Sequence, residues 1–308
     1  KLKNLCPKTK FVAIQNGIRA NYSGYPSLGF FDQLSIAIKG EKLSADHFCA
    51  FGDAAAAQIS QFVQCDPISI GSLKNNLFVS PEITETASYE VVLISQYPPF
   101  SVQDESRRIY FGNYAIAPAD FYKVEALAAK MIAEYCFRQN LTFAVCGKRE
   151  GSSSNEYDFF DQAIGSLPWT YRSRTSSNST YELSSAAKIV VSIDSTVGQE
   201  FLARGKRVAV IAARTQVADS VGLFNRKDTA FGYPLDFSPT GKFWTNEASE
   251  PELVRILDYL QAVTDEEWAT EIAPYNESLM AYQPGNPVFK NLLLDLGLTL
   301  NDGERFNA

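Results

Sequence analysis

The chain has 308 residues, of which 28 are Lys or Arg and 35 are Asp or Glu, so its formal net charge at pH 7 is −7. This acidic balance argues against a protein that binds nucleic acid through its overall charge. With 45% hydrophobic and 20% charged residues, the chain can bury a large core, which argues against intrinsic disorder. It has no apolar run of the roughly 18 to 20 residues that a bilayer span needs, and we expect a cytoplasmic protein with at most peripheral membrane contact.

Short apolar runs rich in β-forming residues alternate with stretches of helical pattern. We predict six buried, parallel strands from these runs. They cover residues 11–14, 47–51, 91–94, 141–145, 189–193 and 208–211. Helical spacing of apolar residues predicts helices over 120–139 and 195–204, from 249 onward and over 287–296. The alternation of strands and helices predicts an α/β fold with Rossmann-like domains.

The pattern along the chain predicts three parts. Apolar density falls between residues 79 and 88, where Pro81 interrupts the pattern, and we place a domain boundary there. Residues 1–88 then form an N-terminal Rossmann-like part, residues 89–248 form a complete Rossmann-like domain, and residues 249–308 form helices that pack back across the domains. Because the first part is short and does not begin with Met, we expect it to be an incomplete domain.

Cysteine and histidine usage bears on metal and disulfide chemistry. The five cysteines are scattered without any Cys-x-x-Cys spacing, which favours reduced thiols in or near the core over disulfides or metal ligands. The one histidine, His47, cannot make a His-rich metal centre. We therefore predict neither a metal site nor a disulfide.

The strongest local feature is a strand, turn, helix, strand unit over residues 187–211. Backbone N–H groups at the start of the helix lack intrahelical partners and carry partial positive charge, so Ser195, Thr196 and Gly198 are positioned to bind a phosphate. Glu200 lies about one turn further on, where its carboxylate could accept hydrogen bonds from a ribose. The alternative is that the polar turn only caps the helix and that Glu200 is a solvated acid.

Two other strands end in polar residues. Lys148 and Arg149 follow a buried strand and could bind a diphosphate or a carboxylate through charge-assisted hydrogen bonds. The alternative is an exposed loop pair balanced by Glu150. Ser95 stands at the end of another strand and is a weaker candidate. Because parallel strands carry their carboxyl ends at one edge of a sheet, we expect these residues to line that edge together with Ser195.

The N-terminal part offers an Asn-Gly turn at Asn16 directly after its first strand, followed by Arg19 and a polar and aromatic loop that reaches Asp32. Neither Asp32 nor His47 has a sequence partner that marks it as a general base. The chain lacks the P-loop, the Gly-x-Gly-x-x-Gly fingerprint, the Gly-x-Ser-x-Gly elbow and the His-Glu-x-x-His motif. These absences lower the weight of ATPase, dehydrogenase, α/β-hydrolase and zinc-protease functions.

Three short stretches carry a resemblance to a known family: residues 14–19, 45–52 and, most strongly, 192–200. There the chain resembles the GT-B-fold glycosyltransferases of bacterial surface carbohydrate biosynthesis. It is similar in layout to the Kdo and sialic-acid-type transferases and to the CDP-glycerol glycerophosphotransferases. The resemblance implies two Rossmann-like domains that face a cleft. The C-terminal domain would hold a CMP-, CDP- or UDP-type nucleotide-sugar donor, and the N-terminal domain would hold a glycan or lipid-linked glycan acceptor.

The resemblance also implies roles for individual residues. The predicted donor contacts are Ser95, Lys148, Arg149, Ser195, Thr196, Gly198 and Glu200. On the acceptor side the implied residues are Asn16 and Arg19. Related transferases often carry histidine at the position of Asn16; asparagine cannot act as a base, so we predict Asp32 as the base. No metal or cofactor is implied, because Lys148 and Arg149 would offset the charge of the leaving nucleotide.

Two other functions fit the same residues. A nucleotide-sugar 2-epimerase shares the fold and would convert its substrate without an acceptor. A non-catalytic module that binds a glycan or a nucleotide sugar would account for asparagine at position 16.

Overall fold

The computed structural model describes residues 5–18, 30–79, 89–111, 114–150, 154–218 and 231–298. These residues form an α/β fold around two parallel sheets, one of three strands and one of six strands. A two-stranded antiparallel hairpin, β5 (Ile109–Phe111) and β6 (Tyr114–Ile116), stands apart from both sheets.

The three-stranded sheet comes from the first part of the chain, in the order β1-β2-β3. Its strands are β1 (Val12–Ile14), β2 (Leu43–Ala50) and β3 (Val63–Ser69). The helices that accompany it are α1 (Phe30–Ile38), α2 (Asp53–Ile59) and α3 (Leu73–Leu77). Both pairings are parallel, with Ala13 opposite Phe48 and Cys49 opposite Ile68, so the three carboxyl ends share one edge.

The six-stranded sheet has the order β11-β10-β9-β4-β7-β8, and its pairings are all parallel. The strands are β4 (Val91–Ile94), β7 (Phe143–Glu150), β8 (Thr170–Arg174), β9 (Ile189–Ser192), β10 (Arg207–Ile211) and β11 (Trp244–Thr245). Every residue of the central strands β4 and β9 is buried. A parallel strand covered by helices on both faces needs such a continuous apolar run, which explains why these strands were readable from the sequence.

The remaining helices of the described residues follow β6 along the chain, and the last of them packs against the smaller sheet. They are α4 (Pro118–Phe121), α5 (Lys123–Gln139), α6 (Ser154–Ile164), α7 (Ser179–Ala186), α8 (Thr196–Ala203), α9 (Arg214–Ala218), α10 (Glu250–Ala262), α11 (Asp265–Leu279) and α12 (Pro287–Asp295). In α5 the buried residues Val124, Ala128 and Ile132 recur at helical spacing, and Asn140 ends the helix in the left-handed conformation, with φ 53°.

The last helices contact both sheets. Trp268 of α11 donates its indole N–H to Gly205 O over 2.9 Å, near the larger sheet. Just beyond α11, the Ala281 N–H donates to Phe51 O over 2.8 Å, next to the smaller sheet. In α12, Leu292 packs into a buried cluster with Cys49 and Ile70. The final part of the chain therefore joins the two sheets.

Most predicted elements agree with the structure to within a few residues, and the differences have physical causes. The predicted helix 120–139 is divided at Tyr122 into α4 and α5. Five strands were not predicted: β3, β5, β6, β8 and β11. Polar residues break the apolar run in β3, which reads Val-Gln-Cys-Asp-Pro-Ile-Ser, and in β8, where Tyr171, Arg172 and Ser173 interrupt it. The strands β5, β6 and β11 have only two or three residues and are too short to show a period. All five cysteines are free thiols. Cys49, Cys136 and Cys146 are buried, in agreement with the predicted core position, whereas Cys6 is exposed and contradicts it. The division of the chain at residue 88 stays a prediction.

Candidate functional site

The carboxyl edge of the six-stranded sheet gathers polar residues from four neighbouring strands. Ser95 follows β4, Lys148 and Arg149 lie at the end of β7, Ser195 comes shortly after β9, and Arg214 comes shortly after β10. The structure thus brings four of the sequence-predicted residues to one edge. In open α/β sheets this edge is where ligands bind.

Helix α8 begins at this edge. Ser195 is its N-cap residue, and the Ser195 Oγ accepts a hydrogen bond from the Val197 N–H over 3.3 Å. Ser195 therefore caps the helix, as the alternative interpretation predicted. The cap satisfies only one of the N–H groups in the first turn that lack intrahelical partners. The helix dipole also places partial positive charge here, which favours an anion at Thr196.

Gly198 has a different role from the one that its position suggested. Its N–H donates to Ser195 O over 3.0 Å, so that donor is already used within the first turn of α8. A Cβ atom at this position would lie 2.3 Å from Ser192 Oγ, which is far inside van der Waals contact. Glycine is needed at residue 198 because α8 packs against β9 at this point.

The end of β7 is anchored by a buried carboxylate that the sequence analysis missed. Glu156, which is 0% exposed, accepts hydrogen bonds from the Lys148 N–H over 2.9 Å and from the Arg149 N–H over 3.3 Å. The Tyr171 hydroxyl donates to the same carboxylate over 3.0 Å. Burial raises the pKa of Tyr171, and the negative charge of Glu156 raises it further. The two bonds from the N–H groups fix the backbone that carries the two cations, and the bond from Tyr171 helps to hold the carboxylate in place.

The side chains of Lys148 and Arg149 are only lightly engaged. Lys148 Nζ donates to Gln96 Oε1 over 3.3 Å, and Arg149 Nη2 donates to Tyr97 O over 3.5 Å. Arg149 Nε is buried and has no hydrogen-bond partner among the described residues. Partial desolvation lowers the pKa of Lys148, and the neighbouring Arg149 guanidinium lowers it further. An anion placed between the two side chains would relieve both the repulsion and the unsatisfied donor.

A third cation, Arg214, is buried beside them and was also missed. Its Nε and Nη2 donate to Asp194 over 2.6 and 3.0 Å, and its Nη1 donates to Glu125 over 3.1 Å. The guanidinium also lies over the rings of Phe121 and Tyr122, with its Cζ 4.6 and 5.1 Å from the ring centroids. This cluster joins the turn before α8 to the first turn of α5.

Burial and the neighbouring charges shift the pKa values of Glu125 and Arg214 in opposite directions. Burial raises the pKa of Glu125 to about 7, and the Arg214 guanidinium opposes that rise. Burial alone would lower the pKa of Arg214, but the carboxylates of Asp194 and Glu125 together raise it above its ordinary value. One sequence signal was available: Glu125 lies on the same buried stripe of α5 as Ala128, Ala129 and Ile132. A carboxylate on an apolar stripe indicates a buried partner of opposite charge.

The carboxylate of Glu200 is bound by hydroxyl groups of the protein. It is 4% exposed, and its two carboxylate oxygens accept hydrogen bonds from the hydroxyls of Ser72 and Tyr181. Arg204, one turn further on, donates to Asn75 Oδ1 over 2.6 Å and to Phe78 O over 2.7 Å. Glu200 and Arg204 are four residues apart and therefore lie on the same side of α8, which meets α3 of the first part of the chain. The ribose contact of Glu200 stays a prediction.

The turn after β1 reaches the start of α8. The Ile18 N–H donates to Thr196 Oγ1 over 3.3 Å, and the exposed Asn16 lies two residues before it. Gln15 shapes the turn by accepting from the Phe51 N–H over 2.9 Å and donating to Gly17 O over 3.0 Å. The predicted acceptor-side turn and the predicted donor-side helix are thus in contact.

Two predicted residues fall partly or wholly outside the described structure. Arg19 lies outside it, and Asp32 lies in α1 with a side chain that is not described.

Among the described residues, no group of three or more His, Cys, Asp or Glu side chains is arranged to hold a metal ion. Within the same residues, no helix combines the length and the apolar character that crossing a membrane requires.

Comparison with solved structures shows the fold class. The chain is similar to a structure described as "putative UDP-N-acetylglucosamine 2-epimerase" from Listeria monocytogenes, with a TM-score of 0.52 and 11% identity over 100% of this chain and 73% of that chain. It is also similar to the S. aureus MnaA-UDP co-structure, with a TM-score of 0.49 and 10% identity over 99% of this chain and 73% of that one. A further match is the wall teichoic acid polymerase TagF, with a TM-score of 0.47 and 11% identity over 93% and 68% of the two chains.

The predicted α/β, GT-B-like fold is confirmed by the first of these structures together with the parallel sheets. No protein with a curated description matches the chain. A family model described as "putative O-antigen biosynthesis protein" matches residues 12–296, which include both sheets and all the site residues described above. The chain therefore belongs to this O-antigen biosynthesis family, and it is a GT-B-like protein of surface carbohydrate biosynthesis.

Proposed function

We propose that the protein is a glycosyltransferase that moves a sugar from a nucleotide-sugar donor to a surface glycan acceptor. The observation that supports this most is the meeting of two features at one place. The cations Lys148 and Arg149 lie at the carboxyl edge that also carries the start of α8, and the turn of Asn16 contacts that helix through Ile18 and Thr196. A site between two sheets, with cations on one side, suits a reaction between an anionic donor and a second substrate.

The chemistry that we propose depends on charge at the leaving group. When the bond from the sugar to the nucleotide breaks, negative charge grows on the phosphate oxygen. Lys148, Arg149 and the N–H groups at Ser195 and Thr196 would stabilise that charge without reorganising, because Glu156 and the helix already hold them in place. Ser95 would add a hydroxyl at the same edge.

The acceptor side is assigned to the first part of the chain. Asn16 would orient the acceptor hydroxyl through its amide, and Arg19 would contact the acceptor nearby. Since an amide cannot take up a proton at neutral pH, the base is proposed to be Asp32. The acceptor is a glycan or lipid-linked glycan, in keeping with a family of O-antigen biosynthesis.

A second candidate is a nucleotide-sugar 2-epimerase, which the fold likeness to the Listeria structure brings into consideration. The two reactions differ in what they consume. An epimerase converts the nucleotide sugar with no acceptor and leaves the nucleotide attached to the sugar. A transferase releases free nucleotide in step with the sugar transferred.

Product analysis separates these functions. A panel of UDP-, CDP-, CMP- and GDP-sugars is incubated with the protein, with and without an oligosaccharide acceptor fraction, and products are followed by liquid chromatography and mass spectrometry. Acceptor-dependent release of nucleotide from one donor would support transfer, and an isomeric nucleotide sugar formed without acceptor would support the epimerase. Binding without turnover would contradict both and leave a non-catalytic binding module.

A further inference from the structure

A cavity of about 120 Å³ lies between the two sheets, beside the turn of Asn16. Its wall is mostly aliphatic and aromatic, and all three predicted parts of the chain contribute to it. Residues 1–88 supply Phe31, Phe48, Phe51 and Ala55, residues 89–248 supply Tyr233, and residues 249–308 supply Leu279. The cavity is therefore a feature of the cleft and not of either sheet alone.

Most of the cavity wall is apolar, and its polar side chains are Gln15, Gln199, Tyr233 and Ser278. The amide of Gln15 already accepts from the Phe51 N–H over 2.9 Å and donates to Gly17 O over 3.0 Å. The apolar stretch of the wall, which includes Phe31, Phe48 and Ala55, offers water no side-chain partner and so favours an apolar occupant. Ligand pockets occur preferentially between domains, and a cavity of this volume is large enough for only one part of a ligand.

The cavity is continuous with the proposed site through α8. Gln199, which lines the cavity, lies on the same helix as Thr196 and three residues beyond it. Ile18, whose N–H donates to Thr196 Oγ1 over 3.3 Å, lines the cavity as well. An acceptor seated at the Asn16 turn would therefore have the cavity next to it.

We propose that this cavity holds a compact apolar substituent of the acceptor, such as a short acyl group or a small hydrocarbon ring attached to a sugar. The proposal rests on the proposed function, because it assumes that the acceptor occupies this side of the cleft. Apolar cavities of about 150 Å³ accommodate benzene, so the volume here sets an upper size of about one small ring. A long polyprenyl chain does not fit inside it.

Glycosides that differ only in the substituent test this directly. Phenyl and methyl β-D-glucopyranoside are titrated against the protein, and binding is measured by saturation-transfer-difference NMR. Burying a phenyl ring is expected to strengthen binding by about tenfold or more over methyl. Saturation transfer should be strongest at the ring protons. Equal affinity of the two glycosides, or no binding of either, would overturn the proposal.

Cavity-filling variants provide the structural control. Ala55→Leu adds bulk inside the cavity, and Ala57→Leu makes the same change at an exposed position of the same helix, α2. The preference for phenyl should disappear in Ala55→Leu and persist in Ala57→Leu. Ala54→Leu, at another lining position, is the second variant in case Ala55→Leu does not fold. A phenyl preference that survives both filled variants would contradict the assignment to this cavity.

The same samples are titrated with UDP, CDP, CMP and GDP by calorimetry. If no nucleotide binds, the proposed function fails, whatever the glycosides do. If a nucleotide binds and the two glycosides bind equally, only the apolar subsite fails.

Discussion

The Ile18 N–H donates to Thr196 Oγ1 over 3.3 Å, which joins the turn after β1 to the first residue of α8. This contact links the smaller sheet to the carboxyl edge of the larger one at the point where the donor phosphate is proposed to lie. The hydroxyl that receives the bond belongs to a predicted donor residue. Loss of the Thr196 hydroxyl should therefore affect both the joining of the two sheets and the proposed binding of nucleotide.

Thr196→Val removes the acceptor while keeping the shape of the side chain. We expect a loss of about 1 kcal/mol in the free energy of unfolding, since the Ile18 N–H loses its partner. Thr196→Ser keeps the hydroxyl and should behave like the wild type. Urea denaturation of the three proteins measures the difference, and equal midpoints for the valine and serine variants would show that the contact contributes nothing.

Glu156→Gln replaces a buried carboxylate that accepts three hydrogen bonds by an amide that must turn its NH2 towards at least one donor. The expected cost is about 1 to 3 kcal/mol of stability, with weaker nucleotide binding because the backbone of Lys148 and Arg149 is released. Glu182→Gln, an exposed glutamate on α7, is the matched control. Thermal unfolding measures the change in stability, and calorimetry measures the change in nucleotide affinity. An unchanged affinity would show that Glu156 does not position Lys148 and Arg149 for binding.

Arg214→Met leaves the carboxylates of Glu125 and Asp194 without their partner. Glu125 is 1% exposed, so an unpaired charge there should cost about 3 to 5 kcal/mol. The double variant Arg214→Met with Glu125→Gln removes both charges and should recover part of that loss. Chemical denaturation of the single and double variants gives the coupling energy, and a double variant no more stable than Arg214→Met would contradict a direct pair.

Nucleotide binding should depend on the protonation of Lys148. Desolvation followed by the charge of Arg149 lowers the pKa of its ammonium below the ordinary value of 10.5. A bound phosphate raises that pKa again, so the affinity is full while the free ammonium is protonated and falls as the pH rises through its pKa. Calorimetry in a series of pH values from neutral up to 10.5 should show this fall. Lys148→Arg keeps its charge over that range and should show a flat profile; a fall of the same size in both proteins would assign the pH dependence to another group.

The sequence was sufficient for the core of the larger sheet and insufficient for its edges. Val91–Ile94 and Ile189–Ser192 are continuous apolar runs, as buried parallel strands require, and both were predicted. The edge strand β8 reads Thr-Tyr-Arg-Ser-Arg and gives no such signal. Periodicity detects burial on a face, and an edge strand with polar residues shows too little of it.

Some residues of the candidate site could also be predicted from the sequence, and others could not. The start of α8 was predictable because strand, polar turn and helix are contiguous in the chain. Glu156 and Arg214 were not, because their importance comes from partners at residues 148 and 125 that only the fold brings near. Gly198 was predicted to contact a phosphate, but the structure shows that glycine is needed there because α8 packs closely against Ser192.

The central claim is that a nucleotide binds at the carboxyl edge of the six-stranded sheet, and calorimetric titration of Lys148→Ala against Lys188→Ala tests it most directly. Both variants remove one exposed lysine, but Lys188 precedes β9 at the opposite edge of the sheet. We expect one of UDP, CDP, CMP or GDP to bind the wild type and Lys188→Ala equally and Lys148→Ala about tenfold or more weakly. Equal affinity for the two variants, or no binding of any of these nucleotides to the wild type, would contradict the claim.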